Sequence, residues 1–319
     1  MTPTMWLPLL LIPLLLILKN MKKSQNKQEQ QLPPGPLKLP MFGNLLQLGE
    51  LPHQSLWKLS KKYGPVMHLK LGRIPYVVVS SAEAAREVLK VHDLDCCGKA
   101  QLTGVGKLSY NYLDVAFAPY GDHWRQMRKL CVMELFSHKR VQSFHFIREE
   151  EVASLVNSIS QASSSASPVD LSQKMFALSG SILFRVAFGK RFQGSHFDNH
   201  KFHELIASAM AVGGGFTAEE FFPYVGWIID WFTGYHARIQ SIWEELDSFF
   251  EQIIKDHLIK AESKQDHEDI IDVMLRIQRE QANSADGAHQ ITKDNIKAVL
   301  MVTTAPSINF HSSSLFASH

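Results

Sequence analysis

The chain has 319 residues, of which 45% are hydrophobic and 20% charged, with a formal net charge of +2. This is the composition of a globular protein: it excludes a disordered chain and offers no cationic excess for nucleic acid. Three cysteines, Cys96, Cys97 and Cys131, imply no disulfide framework and fit a reducing compartment.

Residues Met1 to Leu18 carry no charged side chain, and Lys19, Lys22, Lys23 and Lys27 follow at once. A cleaved signal needs its cations before the apolar run, and Pro8 and Pro13 would interrupt a buried core helix. The order predicts a signal-anchor helix over 1–18, rising about 27 Å, with the following body on the cytosolic side. Residues 19–36 read as a basic and polar spacer ending in a proline hinge, Leu32-Pro33-Pro34-Gly35-Pro36. Its prolines favour an extended strut that would hold a domain at a set angle to a bilayer.

About 280 residues follow, enough for one large core or two smaller ones. A helix is predicted over His53–Tyr63, stopped by Gly64-Pro65. A β-hairpin is predicted from Val66–Leu71 and Tyr76–Val79, and Ser80 with Glu83 offers a capping box for a helix to His92. Asp93–Pro119 reads as a long, partly ordered loop, the kind that often binds something. Helices are then predicted over Asp122–Phe136, Lys139–Ser160, Leu171–Phe188, His200–Val212, His236–Ala261 and Asp269–Arg279. The clearest carries an apolar stripe from Ile239 through Ile242, Trp243, Leu246, Phe249, Phe250, Ile253 and Ile254 to Leu258. Thr292 or Asp294 would cap a last helix running through Leu300. The class is mainly α with a small β-sheet near the N-terminus.

Trp124 and Arg128 stand four residues apart on one helix face. Both present only hydrogen-bond donors, so together they could bind a carboxylate; a core tryptophan beside a surface cation is the plain alternative. His196, His200 and His203 with Asp198 have helix-like spacing for zinc, but no Glu general base in a His-Glu-x-x-His frame accompanies them. Arg125, Arg128, Lys129, Lys139 and Arg140 form a basic neighbourhood that is either a solvated face or a docking face.

Taken in order, the anchor, the lysines, the proline hinge, Gly43-Asn44, Lys62-Tyr63-Gly64-Pro65, Phe117-Ala118-Pro119-Tyr120-Gly121-Asp122, Trp124-Arg125-Gln126-Met127-Arg128-Lys129, Phe188-Gly189-Lys190 and Asp294-Asn295-Ile296-Lys297-Ala298 resemble a plant microsomal cytochrome P-450 of the A-type clan. The resemblance runs from Met1 to about Leu300. It implies the cytochrome P-450 fold over residues 37–300 behind the membrane anchor. It also implies a haem cofactor whose propionate is bound by Trp124 and Arg128, and a substrate-covering 93–119 segment with Leu113 and Phe117 as contacts. Phe202–Phe232 would be the F–G region, broken at Gly213-Gly214-Gly215. There Phe221-Phe222-Pro223-Tyr224 and Trp227-Ile228-Ile229 would either dip toward the bilayer or pack into the core. The implied activity is NADPH- and O₂-dependent hydroxylation of a small apolar plant metabolite in the endoplasmic reticulum membrane. NADPH-cytochrome P-450 reductase is the implied partner.

The family's chemistry also needs a haem-ligating cysteine in a Phe-x-x-Gly-x-Arg-x-Cys-x-Gly loop. None of the three cysteines stands in that pattern, and Leu300-Met301-Val302-Thr303-Thr304-Ala305-Pro306 replaces the Ala-Gly-x-Asp/Glu-Thr motif. A smaller departure is Gly98-Lys99-Ala100, where relatives usually show Ser-Arg-Pro. The expectation is therefore a chain cut short, with a tail over 301–319 foreign to the family. Such a product would be a non-catalytic membrane-bound fragment that does not hold haem stably. The readings set against it are an active monooxygenase and a protein that binds the reductase or a partner cytochrome. Truncation should also leave apolar faces such as the Ile239–Leu258 stripe without cover.

Overall fold

A computed structural model of the protein describes residues 32–189, 199–260, 268–283 and 290–304. The chain divides into two compact units, residues 1–97 with Phe221–Gly226, and Gly98–Glu220 with Trp227–His319. The expected anchor over 1–18 and the spacer to residue 31 lie outside the described residues. Among the described residues no helix is long and apolar enough to cross a membrane.

The first unit is built on helix α1 (Pro52–Tyr63) and strands β1 (Val66–Leu71) and β2 (Ile74–Val79). The strands pair antiparallel from Val66↔Val79 to Leu71↔Ile74, with Gly72 at φ +59° in the turn. The proline hinge is not a free strut, because its backbone docks on β1. Pro34 O accepts from His68 N at 2.9 Å, and a Cβ on Gly35 would collide with His68 O. The Gly43-Asn44 pair has a mechanical reason. Fully buried Asn44 takes Lys70 N on Oδ1 (2.9 Å) and gives Nδ2 to Leu37 O (3.0 Å), stapling the hinge to β1. Helix α2 (Ala82–Arg86) is capped by Ser81, which accepts from Ala84 N, not by Ser80 as expected. Ser80 N is committed to Pro65 O at 2.7 Å, which keeps that residue at the end of the hairpin. A π-turn (Glu87–Val91) and a short helix α3 (Asp93–Cys96) follow.

The second unit is helical. The stretch expected to be loop contains α4 (Thr103–Leu108), followed by Tyr110, Asn111 and Tyr112, all left-handed at φ +53° to +61°. Three non-glycine residues in that region cost free energy. Side-chain bonds hold them: Tyr110 Oη donates to Asp247 (2.9 Å), Tyr112 Oη to Leu102 O (2.8 Å), and Ser109 Oγ accepts Tyr112 N (3.0 Å).

Helix α5 (Asp122–Leu130) widens into a π-turn at Cys131–Leu135. The single helix expected over Lys139–Ser160 is two, α6 (His138–Ser143) and α7 (His145–Ser164), broken where Phe144 turns into the core. Helix α8 (Leu171–Phe188) matches its expected bounds, with Asp170 as N-cap and left-handed Gly189 as C-cap. Helices α9 (Asn199–Gly213), α10 (Ala218–Phe221), α11 (Gly226–Phe232), α12 (Tyr235–Lys260), α13 (Ile270–Asn283) and α14 (Lys293–Thr304) complete the order. Thr292 and Asn295 cap α14 reciprocally, Asn295 N to Thr292 Oγ1 at 3.2 Å and Thr292 N to Asn295 Oδ1 at 2.9 Å. The helix continues past Leu300 to Thr304. Residues 305–319 lie outside the described residues.

The core gathers Phe184 and Phe188 of α8, Phe202 and Ile206 of α9, and Ile242, Phe249 and Phe250 of α12 with Ile271 and Met274 of α13 and Ile296 and Leu300 of α14. The expectation of an uncovered stripe is corrected. Ile239, Ile242, Leu246, Phe249, Phe250, Ile253 and Ile254 are buried, Trp243 is half-buried, and of the stripe only Leu258 is exposed. Each such side chain contributes about 1.5–3 kcal/mol of burial free energy, so α12 is held by its neighbours.

One buried polar cluster gives the fold a pH dependence. His257 bonds Ile253 O through Nδ1 and Asp269 Oδ2 through Nε2, both at 2.8 Å, and is 4% exposed. Asp269 and Asp272 exchange backbone N–H bonds at the start of α13. Burial pulls the imidazole pKa down, but the Asp269 bond and charge and the Ile253 carbonyl outweigh it, so the value is raised. A raised folded pKa means stability that is full below about pH 6.5, the unfolded value, and lost as pH rises through the folded value. Urea titrations from pH 6 upward should show that decline, and His257→Gln should flatten it. An unchanged slope would show that the cluster does not titrate.

Candidate functional site

The site expected from the sequence lies at the start of α5. The 113–117 segment docks on that helix through two consecutive side chains. The Trp124 indole N–H donates to Val115 O at 3.0 Å, and His123 Nε2 to Leu113 O at 3.2 Å. The Arg128 guanidinium sits over the Trp124 ring, 5.1 Å from its centroid. Tyr120 is a further aromatic neighbour, its ring centroid 5.5 Å from that of Trp124. The structure therefore brings Trp124 and Arg128 together, as their spacing predicted. It also commits the indole N–H to a backbone carbonyl, which spacing could not reveal. Arg128 is exposed, and no carboxylate among the described residues pairs with it. Five charged N–H donors stacked on an aromatic face suit a carboxylate ligand.

The two expected substrate contacts differ. Leu113 is half-buried, while Phe117 is 41% exposed with Lys99 Nζ 6.0 Å from its ring centroid. Asp114, which the sequence reading passed over, shapes the turn between them. It is fully buried, and its Oδ1 accepts from Ala116 N and from Phe117 N, the latter at 2.6 Å. Burial raises its pKa, against the Phe117 and Ala116 N–H groups that lower it. An aspartate whose side chain can accept from the backbone N–H two residues on is an Asx-turn signal.

The basic neighbourhood shrinks in the structure. Arg140 bonds Glu268 at 3.1 Å and Glu134 O, and Arg125 pairs with Asp122. Arg128, Lys129 and Lys139 remain exposed. A groove of about 690 Å³ opens beside α5, lined by Gln126, Met127 and Leu130 with Ile277, Gln281 and Asn295 among others. Trp124, Arg128, Leu113 and Phe117 do not line it, so it is separate from the expected site. The side chains of the proposed zinc cluster His196, Asp198, His200 and His203 lie outside the described residues.

A haem's two ends are met differently here. The unpaired Arg128 suits a propionate. The iron end would need a thiolate, and no cysteine supplies it. Cys131 is a buried thiol at the start of the π-turn after α5, its pKa pushed up to about 11 by burial. Cys96 and Cys97 sit in and after α3, and the Cys97 thiol donates to Leu94 O at 3.4 Å. A thiol held protonated is a poor metal ligand.

Residues 33–316 match the family model for cytochrome P450. Cytochrome P450 71B10 of Arabidopsis thaliana is 46% identical over 305 residues, covering 96% of this chain and 60% of the relative. Cytochrome P450 71B35 of the same plant is 47% identical over 296 residues, 92% of this chain and 58% of the relative. The chain belongs to the cytochrome P450 family, and within it to the plant clan that includes these 71B members. It spans about 60% of the length of the relatives it matches. The mainly helical architecture with a small two-stranded sheet fits that family.

Proposed function

We propose that this chain is part of a haem-thiolate monooxygenase that oxidises a small apolar plant metabolite, with Arg128, carried on the Trp124 ring, holding a haem propionate. The observation that carries this is an exposed arginine with no carboxylate partner among the described residues, stacked on a tryptophan, in a chain of this family. When bound, haem supplies oxygen activation through its iron. The residues here bind and orient its acidic edge, and Leu113 and Phe117 border the substrate. Electrons come from NADPH-cytochrome P-450 reductase, for which exposed Lys129 and Lys139 offer positive charge to an acidic partner. The endoplasmic reticulum membrane is the site of action. Trp227 (55% exposed), Trp231 (68%) and Phe232 (77%) on α11 support contact of this face with the bilayer.

The 319 residues alone are catalytically incomplete, because no cysteine here supplies the iron's thiolate. Haem would be held through its acidic edge alone, by Arg128 on the Trp124 ring. Titration of the chain with haem tests the clamp. Arg128→Ala should weaken apparent affinity at least tenfold, the loss of one charge-assisted contact of about 1.5–3 kcal/mol. An affinity equal to the parent's would remove Arg128 from the site.

A further inference from the structure

We propose that Asp114 is a positioning residue: by folding the 113–117 turn it sets the Val115 carbonyl that fixes the Trp124 indole, and so presents Trp124 and Arg128 to an anionic ligand. The chain of contacts is direct. Asp114 Oδ1 gathers the N–H groups of Ala116 and Phe117, which closes the turn. Val115, enclosed in the turn between Asp114 and Ala116, is thereby fixed and accepts the Trp124 N–H at 3.0 Å. Trp124 in turn carries the Arg128 guanidinium on its face. The same turn places Phe117 outward, so one carboxyl sets both the clamp and a substrate contact. Asp114 is 0% exposed, and its Oδ2 has no partner among the described residues. A leucine of similar size would remove that atom but would also leave the Ala116 and Phe117 N–H groups without their acceptor, so the role of the aspartate lies in its Oδ1. The role in ligand presentation rests on the clamp reading above; the turn's control of Trp124 does not.

The test is the hydrogen exchange of tryptophan indole N–H groups in the full chain in detergent, followed by nuclear magnetic resonance. Trp124→Phe assigns the resonance. Trp243, whose buried indole N–H has no partner among the described residues, reports general opening. Asp114→Asn keeps the acceptor and should leave Trp124 exchange within twofold of the parent. Asp114→Leu keeps the volume, loses the acceptor, and should speed Trp124 exchange at least tenfold with Trp243 unchanged. Parent-like exchange of Trp124 in Asp114→Leu, or equal acceleration of both indoles, overturns the proposal. The haem titration of Arg128→Ala reports separately on the clamp, so either can fail without the other.

Discussion

Replacing Phe188 by alanine lowers the unfolding free energy of the chain by about 4 kcal/mol. Phe188 is fully buried at the end of α8. Its ring lies 4.5 Å from Phe184, 5.7 Å from Phe249, 6.2 Å from Phe202 and 6.4 Å from Phe250, centroid to centroid. Those rings come from α8, α9 and α12, so one truncation opens a void shared by three helices. The surroundings can collapse only partly, because Gly189 closes the helix in the next residue and its α-carbon faces Asp269, leaving no space for a Cβ. Phe188→Leu, which keeps most of the volume, should cost about 1.5 kcal/mol or less. Urea unfolding with a constant m-value gives both numbers. A loss below about 1.5 kcal/mol for the alanine variant would show that this aromatic cluster is not the centre of the core.

Lys297→Ala has a comparable effect for an electrostatic reason. Lys297 lies on α14 and is 5% exposed. Its ammonium meets Asp247 at 2.7 Å and Glu251 at 2.9 Å, both on α12. Asp247 also accepts the Tyr110 hydroxyl, so one lysine ties α14, α12 and the left-handed turn after α4 together. Burial lowers the Lys297 pKa, and the Asp247 and Glu251 contacts raise it further than burial lowers it. Removing the cation leaves the partly buried Asp247 with the Tyr110 hydroxyl but without its countercharge. Breaking such a pair costs about 3–5 kcal/mol, and the partial exposure of Asp247 and Glu251 places the expectation near about 3. Lys297→Met, which keeps the packing but not the charge, should restore little of it while Asp247 stays. Adding Asp247→Asn to Lys297→Met should recover about half. Equal stability of Lys297→Ala and the parent would mean that the network is solvated.

Helices α8 and α12 were readable because their signals are local. Asp170 and Gly189 punctuate α8, and the steps of three and four from Ile239 to Ile254 mark α12. Three features were not readable in the same way. The break at Phe144 has no glycine or proline to announce it, since the pull comes from the core. The turn at Tyr110, Asn111 and Tyr112 runs against backbone preference and is held by Asp247, 137 positions away in sequence from Tyr110. The cover of the α12 stripe depends on which helices pack together, and periodicity gives only the face. At the site, the spacing of Trp124 and Arg128 predicted their pairing. The indole's bond to Val115 depends on the fold of the preceding turn, and only Asp114 among the turn's residues gave a local sign of it.

The most direct measurement is the carbon monoxide difference spectrum of the reduced chain, expressed in microsomes and supplied with haem. The account predicts no Soret band of the thiolate-ligated type, because none of the three cysteines stands in the family's iron-ligand pattern and the proposed Arg128 contact would reach only a propionate. A thiolate-type band from this polypeptide alone would contradict it.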